Sequence, residues 1–322
     1  MTILVTGAAG FIGMHVAQAL LMRGEEVIGV DNINSYYDVS LKEARIARLK
    51  TYNNFKFKKI DIADQEALFS LKGGITRIVH LAAQAGVRYS ITNPESYVSS
   101  NLIGHLNVIE FARRIENKLS NMVYASSSSV YGNNTKLPFS VDDRTEKPIS
   151  FYAATKLADE LMSYAYSHTY GFPQFGLRLF TVYGPWGRPD MSAYIFTSKI
   201  LSGKKIPVYK HGDMQRDFTY IDDVVDGILS ALDKPPKNNI PHHQIYNLGN
   251  NKAESLMRYI GVIEKALGKE AIIDFQPLQT GDVQSTFADI KSSQRDLGYY
   301  PSTTIDEGIP RFIRWYFEYH QL

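Results

Sequence analysis

The sequence predicts an α/β fold built on a doubly wound parallel sheet, followed by a smaller C-terminal α/β substrate-binding domain. One observation is an apolar run at residues 3–5 that leads through a glycine-rich turn into a helical pattern over 11–23. A second is that strand-like runs at 26–30, 55–60, 77–81 and 122–125 alternate with helical segments at 40–51 and 94–116. Alternation at this spacing is typical of a parallel sheet with helices on both faces.

The glycine-rich turn has the architecture that receives a pyrophosphate. Gly7 permits the sharp turn, Gly10 lets the backbone approach the phosphates, and Gly13 lets the helix pack close to the strand. The free N–H groups and the dipole of the helix N-terminus favour an anion. Surface loops also contain glycine triplets, but the flanking strand and helix favour a Rossmann-type dinucleotide site. The neighbouring residues expected to contact the dinucleotide are Ala9, Phe11 and Ile12.

An acidic residue at the end of the second strand selects the kind of dinucleotide. Asp31 lies about twenty residues after the glycine turn, where a carboxylate accepts hydrogen bonds from the adenosine ribose hydroxyls. It would repel a 2′-phosphate, and no arginine follows within residues 32–35, so NAD is favoured over NADP. The alternative for Asp31 is an ordinary turn residue at a strand end.

Further cofactor contacts are expected where later strands end. Asp61 could contact the adenine amino group, although a simple turn residue explains it nearly as well. Small residues after the fourth strand would let the backbone pass close to the cofactor, since ligands of such sheets bind beyond the carboxyl ends of the strands. The additional candidates for cofactor binding are Asn32, Asp61, Ile62, Leu81, Ala82, Ala83, Asn101 and Ala125.

Composition excludes several classes of function. A net charge of +2, from 35 Lys+Arg against 33 Asp+Glu, gives no reason to expect a nucleic-acid partner. The absence of cysteine excludes disulfides and thiolate sites, and the eight histidines show no metal-ligand spacing, so no metal is expected. No apolar run reaches the roughly 18 residues of a membrane span, and a strand that begins within residues 1–10 leaves no room for a signal peptide. We therefore expect a cytoplasmic protein without a membrane partner.

A serine run and a Tyr–Lys pair follow the fifth strand. Residues 126–129 are all serine, and a predicted helix over 150–170 carries Tyr152 and Lys156 four residues apart, hence on one face. An ammonium group and a cationic nicotinamide ring both favour a neighbouring phenolate, and a nearby serine can hydrogen-bond the same substrate oxygen. A surface pair beside a serine-rich loop is the alternative, but the position after the fifth strand of a nucleotide-binding fold favours catalysis.

Taken together, these motifs resemble the extended short-chain dehydrogenase/reductase superfamily over essentially the whole chain. The resemblance rests on the glycine turn, Asp31, Asp61-Ile62, the serine run, the Val-Tyr-Gly triplet at 130–132 and Tyr152-x-x-x-Lys156. Several stretches narrow it to the UDP-glucuronate 4-epimerase family, an isomerase family, namely residues 82–90, 137–139, 152–156, 178–190 and 281–283.

The resemblance implies a mechanism that needs NAD but causes no net redox change. Tyr152 would be the base, Lys156 its electrostatic partner and ribose ligand, and Ser127 the catalytic hydroxyl. In the family mechanism, the tyrosine takes the proton of the sugar 4-hydroxyl while the C4 hydride passes to tightly held NAD. The 4-keto sugar then rotates in the pocket and receives the hydride on its other face. The implied substrates are UDP-glucuronate and UDP-galacturonate.

Oxidation at C4 of a uronic acid creates a β-keto acid that can lose carbon dioxide, so the carboxylate should be clamped. Arg188 suits this role because guanidinium binds carboxylate in a planar, bidentate way; its alternative is an ordinary surface ion pair with Asp190. Thr181, with Ser128 or Ser129, could supply neutral donors. By family position, Arg216 and Asp282 would contact the UDP portion, whereas Arg88 is ambiguous between diphosphate, carboxylate and a structural role.

Other functions are left open by the sequence. The nearest rival is a 4-epimerase of a neutral or N-acetylated UDP-hexose. By family position, related 4,6-dehydratases place Asp-Glu and decarboxylases Ser-Glu where this chain has Ser128 and Ser129. Because serine is a poor acid–base group for elimination, this argues strongly against a dehydratase and moderately against a decarboxylase. A catalytically silent NAD sensor would usually lack the tyrosine or the lysine.

The predicted organisation is an NAD-binding Rossmann domain at 1–180, to which 212–235 returns, and a mainly nucleotide-sugar-binding domain at 181–322, interleaved with it. Helices are expected at 221–234, 253–268 and 305–319. The last two are amphipathic, and the aromatic residues of the final helix are expected in the core. Related proteins dimerise through helices corresponding to 94–116 and 151–170. The apolar side chains Leu102, Ile103, Leu106, Val108 and Ile109 suit such a homodimer, although burial on the sheet would explain them too.

Overall fold

A computed structural model describes residues 1–115, 119–236, 242–277, 283 and 285–322. Its strands are, in chain order, β1 Thr2–Thr6, β2 Glu26–Asp31, β3 Phe55–Lys59, β4 Ile75–His80, β5 Asn121–Ser127, β6 Gln174–Leu179, β7 Thr181–Tyr183, β8 Ile206–Tyr209, β9 Gln215–Tyr220, β10 His243–Leu248, β11 Ala253–Ser255 and β12 Ile273–Gln276.

The main sheet has seven strands in the order β10-β6-β5-β4-β1-β2-β3, and every neighbouring pair is parallel. Strand order reverses between β1 and β4, which opens a crevice at the carboxyl ends of these two strands. The predicted doubly wound parallel sheet is confirmed.

The helices that surround the strands are α1 Phe11–Met22, α2 Val39–Leu49, α3 Gln65–Phe69, α4 Tyr89–Thr92, α5 Pro94–Tyr97, α6 Gly104–Arg114, α7 Phe151–Tyr170, α8 Ser192–Leu201, α9 Ile221–Asp233, α10 Leu256–Leu267 and α11 Ile305–His320. A π-helical turn, Val98–Ile103, joins α5 to α6. The predicted helix over 94–116 is therefore one continuous run from 94 to 114, and its last residue, Glu116, lies outside the described residues.

The central strands of the main sheet are buried on both faces, as expected when helices cover both sides, whereas the edge strand β3 is largely exposed. Alternate side chains of β1 enter two different cores: Ile3 and Val5 pack in one, and Leu4 packs in the other. Helix α1 buries Met14 and Leu20 in the first core. The sheet is thus held from both sides, which fixes the loops at its carboxyl edge.

Two strands of the main sheet were not predicted from the sequence. β6 is buried at every position, including its polar residues Gln174 and Arg178, so its sequence does not show the continuous apolar run typical of a strand buried on both faces. β10 lies beyond residue 235 and still pairs with β6 in parallel. The helix α9, between them in the chain, packs against α1 and β5. The two predicted domains therefore share one sheet.

The rest of the C-terminal part forms two small sheets, β11-β9-β7 and β12-β8. The helix predicted over 253–268 begins only at Leu256, because residues 253–255 pair with β9 and the Ser255 hydroxyl caps the helix by accepting from the Arg258 N–H. The helix predicted over 305–319 is confirmed as α11, and its Phe312, Trp315 and Tyr316 are buried. Among the described residues, no helix is both long and apolar enough to cross a lipid bilayer.

Candidate active site

A pocket of about 380 Å³ lies at the carboxyl edge of the main sheet, where the strand order reverses. It brings together residues that are far apart in the sequence. Of the candidates identified from the sequence, those that line it are Gly7, Gly10, Phe11, Ile12, Gly13, Asp31, Asn32, Asp61, Ile62, Leu81, Ala82, Ala83, Ala125, Ser127, Ser128, Ser129, Tyr152, Lys156, Thr181 and Arg188.

The glycine turn forms a cradle that side chains would fill. Gly7 has φ +73°, and a Cβ there would lie 2.8 Å from the Ala82 backbone nitrogen. A Cβ on Gly13 would overlap the Gly7 carbonyl oxygen, and a Cβ on Gly10 would lie 2.9 Å from the same oxygen. The Gly7 N–H donates to the carbonyl of Val30 over 2.7 Å, which ties the turn to β2. The space left beside α1 therefore suits a phosphate group held by backbone N–H donors.

Asp31 is oriented by two backbone donors. Its carboxylate accepts from the N–H groups of Ala9 and Ile33, over 3.1 and 2.8 Å. Burial raises the pKa of Asp31 above its usual value, while these hydrogen bonds and the nearby Lys42 oppose that shift. Ala9 does not line the pocket, and its N–H instead holds this carboxylate. The cradle and a carboxylate one strand away fit a dinucleotide with an unphosphorylated 2′-hydroxyl.

Tyr152 and Lys156 lie in the first turns of α7 and share one wall of the pocket. The Ser150 hydroxyl caps this helix by accepting from the Ala153 N–H over 3.1 Å. Lys156 is buried, and its Nζ lies 2.8 Å from a carboxylate oxygen of Asp159, which is buried as well. Burial would lower the pKa of Lys156, but Asp159, Tyr152 and Glu160 together outweigh burial and raise it. The ammonium next to Tyr152 is therefore kept charged.

The serine run begins at the end of β5 and turns into the pocket. The Ser127 hydroxyl donates to the Ser129 hydroxyl over 3.1 Å and accepts from the Ser129 N–H over 3.2 Å. Behind it, the Ser126 hydroxyl donates to Glu160 over 2.5 Å, and Arg178 makes a bidentate ion pair with that carboxylate, over 2.9 and 2.8 Å. This buried network links β5, β6 and α7, so the serine run and the Tyr–Lys helix are held in fixed relation.

Arg188 lines the pocket from the loop that follows β7. Its Nε and Nη2 donate to the two carboxylate oxygens of Asp190, over 2.9 and 2.5 Å. The ion pair with Asp190 considered in the sequence analysis is therefore present. The Arg188 side chain is only 22% exposed, so the pair forms part of the pocket wall.

Besides Ala9, three described sequence candidates do not line this pocket. The Asn101 amide bonds the Gln84 backbone and the Thr155 hydroxyl, which supports the pocket wall from behind. Arg88 is exposed and stacks on the Tyr209 ring at 4.6 Å. Arg216 donates to the carbonyl of Val283 over 2.6 Å. Asp282 lies outside the described residues.

Several lining residues were missed from the sequence, mainly in the segment after β2. They are Asn34, Tyr36, Tyr37 and Lys42, together with Gln84, Ser100 and Ser126. Lys42 is 6% exposed and its Nζ donates to both the carbonyl and the side-chain oxygen of Asn34, over 2.8 and 2.7 Å. In the sequence it is one of several charged residues of an amphipathic helix. The adjacent Tyr36 and Tyr37 in a polar loop were the sequence feature that could have indicated a pocket wall here.

The chain is similar to known proteins over most or all of its length. The model of the NAD dependent epimerase/dehydratase family matches residues 3–249. An uncharacterized protein of Methanocaldococcus jannaschii is 53% identical over 98% of this chain and 96% of its own length. UDP-glucuronate 4-epimerase 4 of Arabidopsis thaliana is 47% identical over 99% of this chain and 76% of its own length.

Among solved structures, the crystal structure of UDP-glucuronic acid 4-epimerase from Bacillus cereus in complex with UDP-glucuronic acid and NAD superposes with a TM-score of 0.92. It is 34% identical and covers 99% of this chain and 100% of the other. The family resemblance predicted from the motifs is confirmed. The fold, the glycine cradle, the Tyr–Lys helix and these relatives lead to one assignment: the chain belongs to the NAD dependent epimerase/dehydratase family.

Proposed function

We propose that this protein interconverts UDP-glucuronate and UDP-galacturonate by NAD-dependent 4-epimerisation. The observation that carries the proposal is that one pocket contains a dinucleotide cradle, the Tyr152–Lys156 pair, the serine run and a cationic side chain, Arg188. Relatives described as UDP-glucuronate 4-epimerases, and a structural neighbour with UDP-glucuronic acid and NAD, support the choice of substrate.

NAD is assigned to the part of the pocket formed by β1, β2 and α1. We assign the pyrophosphate to Gly7, Gly10 and the N-terminus of α1, and the adenosine ribose to Asp31. Asn32, whose amide donates to Asp61 over 2.9 Å, would hold that carboxylate for the adenine. Bound NAD supplies a reversible acceptor for the hydride at C4 of the sugar.

The chain's own part in the reaction is to move one proton. We assign Tyr152 as the base that takes the proton from the sugar 4-hydroxyl and later returns it. The charged Lys156 stabilises the phenolate that performs this step. Ser127 is assigned to hydrogen-bond the same sugar oxygen, since its hydroxyl is already oriented by contacts with Ser129.

The product must keep its carboxylate although the intermediate is a β-keto acid. Carbon dioxide leaves when the bond to the carboxylate aligns with the π system of the C4 carbonyl. We propose that Arg188 holds the carboxylate out of this alignment, with Thr181, Ser128 and Ser129 as neutral donors on the same pocket wall. Arg88 and Arg216 remain our candidates for contacts with the diphosphate of UDP, and Asp282 remains a candidate for contact with its ribose.

Replacement of Arg188 with alanine should weaken uronate binding by about 10- to 100-fold, because a hydrogen-bonded charged partner is removed. It should also increase the share of UDP-pentose among the products. Replacement with lysine keeps the charge but not the planar fork, so an intermediate effect is expected. Product ratios by NMR and substrate saturation curves measure both quantities. Unchanged turnover together with an unchanged product ratio would rule out the clamp.

We propose that residues 1–180, to which 212–235 returns, form the NAD-binding part, and that 181–322 forms mainly the nucleotide-sugar-binding part, interleaved with it.

We also propose that the protein is a homodimer. Leu106 of α6 and Leu161 of α7 are 38% and 64% exposed on neighbouring helices, whereas Val108 and Ile109 are buried. Light scattering should give twice the chain mass of 36.4 kDa. Leu161→Asp should yield monomers, and Tyr300→Asp, at an exposed site elsewhere, should not. A wild-type protein that is monomeric in solution would contradict the proposed dimer.

A cytoplasmic location stays a prediction.

The experiment that tests the proposed reaction is a proton NMR time course with UDP-glucuronate. A UDP-galacturonate signal that reaches the same mixture from either side is expected. A UDP-pentose signal with release of carbon dioxide would make the enzyme a decarboxylase. No change with uronates, but conversion of UDP-glucose or its N-acetylated relatives, would keep the mechanism and change the substrate. Bound NAD with no turnover at all would indicate a sensor.

A further inference from the structure

The loop that carries Arg188 is held by contacts that the proposed reaction does not by itself require. Asp190 takes both described hydrogen bonds of the Arg188 guanidinium, one from Nε and one from Nη2. The Tyr36 hydroxyl, from the loop after β2, donates to the same carboxylate over 3.1 Å. A chain of three side chains therefore runs from the loop beside Asp31 to the proposed carboxylate clamp.

The geometry of the Arg188–Asp190 pair leaves one edge of the guanidinium available. Guanidinium has five N–H donors in a planar fork. Asp190 binds it side-on, through Nε and one N–H of Nη2. The end-on edge, formed by Nη1 and the other N–H of Nη2, has no hydrogen-bond partner among the described residues. Since Arg188 lines the pocket, this edge is the one left for a second carboxylate, which would not need to displace Asp190.

Tyr36 is itself fixed in position. Its ring packs against that of Tyr89 with centroids 4.8 Å apart. Gly86, which has φ +105°, approaches so closely that a Cβ there would lie 2.5 Å from the Tyr36 hydroxyl oxygen. The hydroxyl is thus confined between the loop after β4 and Asp190. A tyrosine confined in this way acts as a brace for the carboxylate that it bonds.

The charges around Tyr36, Asp190 and Arg188 allow an additional anion to bind beside Arg188. Burial would favour a neutral Asp190, but Arg188 and the Tyr36 hydroxyl outweigh it and lower the pKa of that carboxyl group. The ion pair is therefore neutral as a whole. Lys42 and Arg45 are close enough to Arg188 to interact with it electrostatically. Asp31 interacts with both of these cations as well, but two cations against one carboxylate leave a net positive charge that favours binding of a carboxylate.

We propose that Asp190, braced by Tyr36, is a positioning residue that turns the end-on edge of Arg188 toward the substrate and so determines the preference for uronic acids. The inference rests on the proposed function, because it presumes a uronate in the pocket. In the opposite arrangement, Asp190 occupies the binding edge of Arg188 until the substrate displaces it. Asp190→Asn would then strengthen UDP-glucuronate binding, whereas our proposal predicts that it weakens it.

The test measures binding to the NAD-loaded protein in a Tyr152→Phe background, which prevents turnover during calorimetry. Asp190→Asn should weaken UDP-glucuronate binding by about tenfold, while the affinities for UDP-glucose and UDP stay unchanged. Tyr36→Phe should show a smaller loss in the same direction. With Tyr152 present, Asp190→Asn should raise the share of UDP-pentose among the products.

A matched control is available outside the pocket. Asp296 has the same pattern, accepting from the Arg295 guanidinium over 2.7 and 2.8 Å and from the Tyr246 hydroxyl over 3.2 Å. Asp296→Asn should change no affinity. Tighter UDP-glucuronate binding in Asp190→Asn would overturn the proposal in favour of the displaced arrangement, and an equal loss for all three ligands would reduce Asp190 to a structural role.

Failure of this inference can be distinguished from failure of the proposed function. If the parent protein binds UDP-glucuronate no better than UDP-glucose, the proposed substrate is wrong. If the parent prefers UDP-glucuronate and Asp190→Asn keeps that preference, only the role of Asp190 is refuted.

Discussion

Tyr152→Phe should lower the rate of 4-epimerisation by about 100- to 10,000-fold, the range that a positioned acid–base group contributes. The substitution removes one hydroxyl and keeps the ring, which packs edge-on against Tyr97 at 6.0 Å. Without the hydroxyl, no group on α7 takes the proton from the sugar oxygen, while the neighbouring Lys156 keeps its ion pair with Asp159. The NMR time course with UDP-glucuronate measures the rate.

The variant should retain bound NAD and its thermal stability, because the cradle and the core are untouched. Tyr170→Phe is a suitable control, since Tyr170 ends the same helix, is 51% exposed and does not line the pocket. It should leave the rate unchanged. A Tyr152→Phe enzyme that turns over at more than about a tenth of the wild-type rate would show that another group moves the proton.

Gly13→Ala should abolish stable NAD binding, and with it the activity. The added methyl group would overlap the Gly7 carbonyl oxygen, so either α1 or the turn must move. A displacement of about 1 Å at such a site is enough to cost roughly 100-fold in function, and overpacking costs about 1–3 kcal/mol of stability. Nucleotide released from the purified protein on denaturation, and the thermal midpoint, measure the two effects.

Gly261→Ala provides the contrast. Gly261 lies inside α10, and a Cβ there meets no atom within 4 Å. Alanine is favoured over glycine in a helix interior by about 1 kcal/mol, so this variant should be slightly more stable and keep its NAD. Equal NAD content in Gly13→Ala and Gly261→Ala would mean that the turn does not hold the cofactor as we propose.

Features that depend on one short segment could be predicted from the sequence. The glycine cradle needs only a strand, a turn and a helix, all within residues 2–22. Tyr152 and Lys156 face the same pocket because helical geometry alone places residues four apart on one face. Asp31 ends a strand, and ligands of doubly wound sheets bind at strand ends. Local geometry fixed each of these positions, and the structure brings them into one pocket.

Features that depend on which segments meet could not be predicted. Nothing local distinguishes Lys42 from the exposed charges of its helix, yet packing against the loop after β2 buries it. Asn101 has a polar side chain near the pocket, but Thr155 and the Gln84 backbone satisfy it from behind. Arg88 likewise stacks on Tyr209 and does not line the pocket.

The sequence by itself therefore determined the fold class, the cofactor cradle and the Tyr–Lys pair, because these arise from backbone periodicity and from the stereochemistry of glycine. The tertiary structure decided that β10 completes the main sheet and that Tyr36 meets Asp190 across 154 positions of the chain. Contacts of that kind depend on how buried surfaces fit together, and such a fit is a property of the folded chain as a whole.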